Sequence, residues 1–96
     1  MEIDKIIHEP TRLRIMMILA GLEQADFTFL VTTLSLTRGN LSRHIEKLES
    51  AGYLKVKKSF KDRVPNTSYQ LTQKGSKALA QYWETLDAVR QSGRPG

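Results

Sequence analysis

The sequence predicts a mainly α-helical domain with one small β-hairpin, and three observations predict it. Apolar residues recur at helical spacing in three stretches, around Leu13 to Leu22, Leu41 to Leu48 and Ala78 to Val89. Residues 53–71 instead alternate apolar and polar and are interrupted by charged and turn residues, as two strands and their connection should be. The positive charge is gathered in the central third of the chain, where the third helix and the hairpin meet.

Ile3, Ile6 and Ile7 give the first residues a short helical stripe, which Pro10 closes by biasing Glu9 away from the α region. Pro10 can then open a helix at its first turn, where a missing N–H costs nothing. From Leu13 to Leu22, LRIMMILAGL, the chain is apolar nearly all round, so this helix needs two packing layers. One is the domain core; the other is the N-terminal segment, the last helix or a partner subunit. Gly21 to Asp26 reads as a loop, Phe27 as part of a very short strand, and Thr28 as the cap of a helix over Phe29 to Leu34. Ser35 and Leu36 make the turn that follows.

The stretch from Leu36 to Leu54, LTRGNLSRHIEKLESAGYL, carries the candidate chemistry. Thr37 is a good N-cap residue, and Asn40 stands weakly for the acid of a capping box, so a helix is expected from Arg38. Leu41, Ile45 and Leu48 fall on one inward stripe. The other side presents Gly39, Asn40, Arg43, Lys47 and Ser50, flanked by Ser42 and Glu46. Gly52 supplies a left-handed stop. A short helix, a tight turn and a longer helix with a cationic face make a helix-turn-helix arrangement. Such a face suits DNA because the major groove admits one α-helix, whose arginines pair with guanine and whose asparagines pair with adenine. The same residues also suit an ordinary solvated helix surface.

The hairpin adds weight to the DNA reading. Residues 53–60, YLKVKKSF, alternate through Leu54 and Val56 against Lys55 and Lys57; Lys61 to Asn66 form a charged tip; Thr67 to Leu71 return. A basic hairpin after such a helix is what a winged helix needs, since its tip reaches the backbone or minor groove alongside. Its lysines could equally blunt an exposed edge. Charge separates the readings: residues 1–34 carry net −2, residues 35–63 carry +5 (eight basic against three acidic), and residues 64–96 carry +2. The positive field belongs to the helix and hairpin.

Thr72 is the expected cap of the last helix, Gln73 to about Gln91, in which Ala78, Leu79, Tyr82, Trp83, Leu86 and Val89 recur at spacings of three and four. An aromatic and aliphatic stripe this far along a helix predicts a subunit interface. A homodimer through both terminal helices is expected, using Ile3, Ile7, Met17, Leu79, Tyr82, Trp83, Leu86 and Val89; the alternative is that the stripe folds back as core. Residues 1–91 would form a single winged-helix domain and residues 92–96, SGRPG, a frayed tail. A domain of 96 residues buries only about 60–70% of its unfolded surface, so a dimer would add needed burial.

Other function classes find little here. The chain has no cysteine, which excludes disulfides, thiolate metal sites and cysteine nucleophiles. Its histidines, His8 and His44, lie far apart, and no phosphate loop, nucleophile elbow or metal-ligand spacing is present, so neither an enzyme nor a metal or other cofactor is expected. The first residues lack a signal peptide's apolar core and no stretch approaches the roughly 18 apolar residues of a membrane span, so a cytoplasmic protein without a membrane partner is expected.

Several stretches resemble winged-helix transcriptional regulators of the MarR/ArsR type. Pro10 to Ile15, PTRLRI, resembles their first core helix; Leu41 to Ile45 with Leu48, Ala51, Gly52, Tyr53 and Leu54 resembles their recognition helix and its exit. Tyr69, Gln70, Leu71, Thr72 and Gly75 resemble the junction from wing to last helix. The resemblance implies a dimeric, sequence-specific regulator, usually a repressor, that binds double-stranded DNA with helix 37–51 in the major groove and wing 53–71 on backbone or minor groove. It implies Arg38, Asn40, Ser42 and Arg43 at the groove, with Lys47 near phosphate and Arg63 at the wing tip. Thr37, Lys57, Lys58 and Lys61 complete the candidate DNA contacts. Any small-molecule effector site would lie at a subunit junction. An RNA-binding or protein-interaction winged helix would use the same surface.

Overall fold

The computed structural model describes residues 2–93, in the order α1 (Pro10–Gly21), β1 (Ala25–Asp26), α2 (Phe27–Leu34), α3 (Arg38–Ser50), β2 (Leu54–Lys61), β3 (Val64–Leu71) and α4 (Gln73–Ser92). The strands form one antiparallel sheet in the order β1-β3-β2. This is the mainly helical winged helix-turn-helix that the sequence predicts.

The N-terminal segment departs from expectation. Residues 2–9 form no α-helix; they make a single turn in which the Asp4 carboxylate accepts the N–H groups of Ile6 and Ile7 and the Asp4 carbonyl accepts that of His8. An Asp that satisfies the backbone locally competes with helix propagation, and Pro10 lies too close for a second turn. The isoleucines instead close the core: Ile7 is fully buried and Ile3 and Ile6 are half-buried. Burying such a side chain stabilises by about 1.5–3 kcal/mol, which makes this strap part of the domain. Polar contacts pin it further. Tyr53 donates its hydroxyl to Asp4, and burial first, then that carboxylate, pushes the phenol up to about 12. His8 Nδ1 lies 2.9 Å from the Tyr82 hydroxyl on α4.

Ile15, Met16 and Leu19 of α1 are buried with Leu30, Leu34, Leu41, Ile45 and Leu48 of the helix-turn-helix. Two boundaries differ from the sequence reading. Asp26, not Thr28, caps α2, accepting the Phe29 N–H at 2.7 Å, so the helix starts at Phe27. The short strand lies one step earlier, Ala25 and Asp26 pairing with Tyr69 and Ser68. Ser35, in the left-handed region at φ 54°, closes α2.

The wing is longer and its turn tighter than expected. β2 and β3 pair continuously from Leu54↔Leu71 to Lys61↔Val64, leaving Asp62 and Arg63 as a two-residue turn with φ of 52° and 67°. Two positive φ values are the signature of the type I′ turn, whose twist matches a hairpin. Pro65 therefore lies inside a strand. The pair next to the turn is hydrogen-bonded, so Phe60↔Pro65 is the non-bonded pair and the missing proline N–H faces away from β2, beyond the end of β1.

The exit of α3 is tied to the entrance of α4. Tyr53 O accepts the Thr72 N–H at 2.9 Å, the Thr72 hydroxyl donates to Gly52 O at 2.6 Å, and Thr72 Oγ1 in turn accepts the Gly75 N–H at 2.9 Å. A Cβ on Gly75 would overlap the Tyr53 carbonyl oxygen, so only glycine fits. Along α4, Leu79, Tyr82 and Thr85 are buried, while Trp83 and Val89 remain 42% and 45% exposed. The helix reaches Ser92 and ends at Gly93; residues 94–96 of the expected tail lie outside the described residues. The radius of gyration, 15.1 Å, exceeds the roughly 12–13 Å of a closely packed chain of this length, because the wing and distal α4 project.

Candidate nucleic-acid interface

The exposed face of α3 is built from its N-terminus. Thr37 Oγ1 accepts the Asn40 N–H at 3.1 Å, which fixes the first turn. Asn40 does not complete a capping box; its side-chain oxygen accepts from Arg43 Nη2 at 3.1 Å. Two residues expected to contact bases thus hold one another on the surface. The Arg38 guanidinium stacks over Phe27, 4.7 Å from the ring centroid, held by the first residue of the preceding helix. Ser42, Arg43 and Lys47 are exposed, as are Thr37, Arg38 and Asn40.

The pleat divides the wing cations. Lys58 shares a face with Val56 and Phe60, whereas Lys55, Lys57 and Lys61 point to the opposite face and Arg63 occupies the turn. Between α3 and the wing lies a notch of about 290 Å³ lined by Phe27, Thr28, Arg38, Pro65, Asn66, Thr67 and Tyr69. The sequence reading missed Thr28, Asn66 and Thr67 here, because the start of α2 and the strand β3 come beside Arg38 only in the folded chain. A second hollow, about 580 Å³, sets Ile6 of the strap against Arg43, Glu46, Lys47, Ser50 and Ala51.

The expected interface residues divide between core and surface. Ile7, Leu79 and Tyr82 are consumed by the core of the single chain, and Ile3 and Leu86 are half-buried. Met17, Trp83 and Val89 stay 49%, 42% and 45% exposed. The N-terminal strap lies against its own domain, which leaves Met17 of α1 and Trp83 and Val89 of α4 as the exposed members of the set.

His44 belongs to a cluster no motif announces. Arg12 Nη1 lies 3.2 Å from His44 Nδ1, and Glu9, which caps α1, places Oε2 3.4 Å from the same nitrogen. Arg12 can only donate to this nitrogen and the Glu9 carboxylate can only accept from it, so the two neighbours favour opposite protonation states of the ring. Burial holds its pKa below the ordinary 6.5; Glu9 opposes this, and Arg12, Arg43 and Lys47 reinforce it. Above about pH 6.5 the ring is neutral folded or unfolded and contributes no pH dependence. Below it the unfolded chain binds the proton first, so stability falls with acidification until the folded pKa is passed. We expect His44→Gln to flatten this part of the stability profile in denaturant melts between about pH 7 and pH 5. Parallel wild-type and variant profiles would contradict the assignment.

The helix-turn-helix and wing described above have relatives among known proteins. The family described as winged helix DNA-binding domain matches residues 11–89. The uncharacterized protein MJ0432 of Methanocaldococcus jannaschii is 42% identical over 79 residues, covering 81% of this chain and 85% of that one. The transcriptional regulator homologue protein from Pyrococcus horikoshii OT3 superposes with a TM-score of 0.83 at 36% identity, over 91% of this chain and 86% of that one. A mutant MarR from E. coli, solved in complex with operator DNA, shares the fold at a TM-score of 0.67 and 19% identity, over 76% of this chain and 51% of its own. With helix-turn-helix, wing and family match all spanning the same residues, this chain belongs to the winged helix DNA-binding domain family and is homologous to transcriptional regulators.

Proposed function

We propose that this protein is a sequence-specific regulator of MarR/ArsR type, a repressor, that binds double-stranded DNA as a homodimer. In this reading α3 enters the major groove, Arg38, Asn40, Ser42 and Arg43 meet base edges, and Lys47 meets phosphate. Lys57, Lys58, Lys61 and Arg63 of the wing meet the adjacent backbone or minor groove. One observation carries the reading: the exposed Asn40–Arg43 pair and Arg38 lie at the N-terminal end of α3, across a polar notch from the basic wing. Recognition helices read bases with that end. The operator-bound MarR structure supports it as a precedent for the same fold. Binding of a labelled duplex at rising salt tests it. Affinity should fall linearly on logarithmic axes as counterions are recaptured, whereas weak, salt-insensitive binding would defeat the proposal.

The homodimer rests on α4. Trp83 and Val89 are exposed on a helix whose distal half projects from the domain, and Leu86 between them is only half-covered. Sedimentation should give a dimer for the wild type and a monomer for Trp83→Glu, since a buried carboxylate without a partner costs more than such an interface gains. An unchanged mass would sink this part of the reading.

A further inference from the structure

We propose that the wing tip carries an apolar wedge, Phe60 with its cross-strand partner Pro65, that lodges in the minor groove of duplex DNA beside the major groove occupied by α3. The inference rests on the DNA-binding reading above and adds a contact that is not electrostatic. Phe60 is 76% exposed, more than any other large hydrophobic among the described residues, and Val64, on the opposite face of the tip, is 62% exposed. The fold does not use this ring. Val56↔Tyr69 is the outermost cross-strand pair that joins the core, and Phe60 stands four residues, about 13 Å, beyond it.

The direction of the ring follows from register. Phe60 and Pro65 share a face with Lys58, Thr67 and Tyr69. Three residues of that face, Pro65, Thr67 and Tyr69, line the notch with Arg38, together with Asn66 from the other face, so the β3 edge beside the ring borders the N-terminus of α3. The partner follows from charge. Lys58 shares the ring's face, Lys57 and Lys61 stand on the opposite face of the same strand end, and Arg63 occupies the turn, against Asp62 as the single acid of the hairpin. A second copy of this tip, or any neutral apolar groove, would meet the ring only by crowding or desolvating those cations, whereas a polyanion neutralises them. With α3 in the major groove, the tip falls at the neighbouring minor groove. Its walls are sugar C–H groups and base edges, and apolar side chains there part base steps and kink the duplex. The minor groove is about 6 Å wide, which a single aromatic ring beside a two-residue turn can enter.

The test uses the full chain and a duplex selected by it, with 2-aminopurine placed step by step through the flanks. Wild-type protein should raise the fluorescence at one flanking step. Phe60→Ala should abolish that rise and weaken binding about ten- to hundredfold, with the salt slope unchanged and the thermal unfolding curve intact. Phe60→Trp should restore both, while Lys58→Ala should keep the fluorescence rise and lower the salt slope by about one. Equal binding by Phe60→Ala with no fluorescence change in either protein overturns the wedge and leaves the DNA reading standing. A reduced salt slope in Phe60→Ala also overturns it, since the ring would then only be placing lysines. Failure of the wild type to bind any duplex overturns the wedge together with the reading beneath it.

Discussion

Gly75→Ala should destabilise the protein by about 3 kcal/mol or more, an unusually large effect for one methyl group. The added carbon would overlap Tyr53 O and stand 3.0 Å from Tyr53 Cα, both backbone atoms that cannot swing aside as a side chain would. The junction has little room to yield: Tyr53 O already accepts from Thr72, whose hydroxyl holds both Gly52 O and the Gly75 N–H. Relieving the clash means moving α4 away from the exit of α3 and breaking these bonds together. Urea denaturation measures the loss. Gly39→Ala is the control, because a Cβ there meets nothing within 4 Å and alanine is the better helix former by about 0.5–1 kcal/mol. Gly75→Ala with wild-type stability would show that the two helices are not locked in this way.

Arg43→Ala has the second large expected effect, on binding alone. It should weaken binding to the preferred duplex by about 1–3 kcal/mol and relax preference at one base pair, as loss of a bidentate guanine contact does. Folding should change by less than about 0.5 kcal/mol, since Arg43 is exposed and its bond to Asn40 lies in water. Lys58→Ala should weaken all duplexes alike. Equal, sequence-blind losses from both substitutions would remove the base-reading role from α3.

Local chemistry made the helix-turn-helix legible in the chain. Thr37, Leu41, Ile45, Leu48 and Gly52 each act within one helix, and the structure puts each where its residue type directs. What stayed hidden depends on distant partners. No spacing near Asp4 reveals Tyr53, 49 residues away, so an apolar stripe at the N-terminus read as helix when it is a capped turn. The Arg12–His44 contact spans 32 residues and has no sequence signature. At the wing, Pro65 read as a turn residue because proline usually is one, while Asp62 and Arg63 took the positive φ values. Only the register then separates Lys58 from Lys57 and sets Phe60 beside Pro65. The chain does carry a sign of the exposed ring: Phe60 keeps the phase of Leu54 and Val56 but follows Lys58 and stands among lysines, KVKKSFK, at the end of the strand.

The burial pattern also divides the stripe on α4. Leu79 and Tyr82 face their own domain, leaving Trp83 and Val89 outside. Helical periodicity finds an apolar face, but it does not say which part of that face the same chain covers.

Sequence-specific recognition of duplex DNA by a dimer is open to direct selection. Bound duplexes are recovered from a random library at near-physiological salt, and the mass of the complex is determined alongside. Recognition by two copies of α3 predicts enrichment of an inverted repeat with half-sites about 10 bp apart, or a multiple of that, bound by two copies of the chain. A library that emerges unenriched, or duplexes held by a single copy without palindromic symmetry, would contradict it.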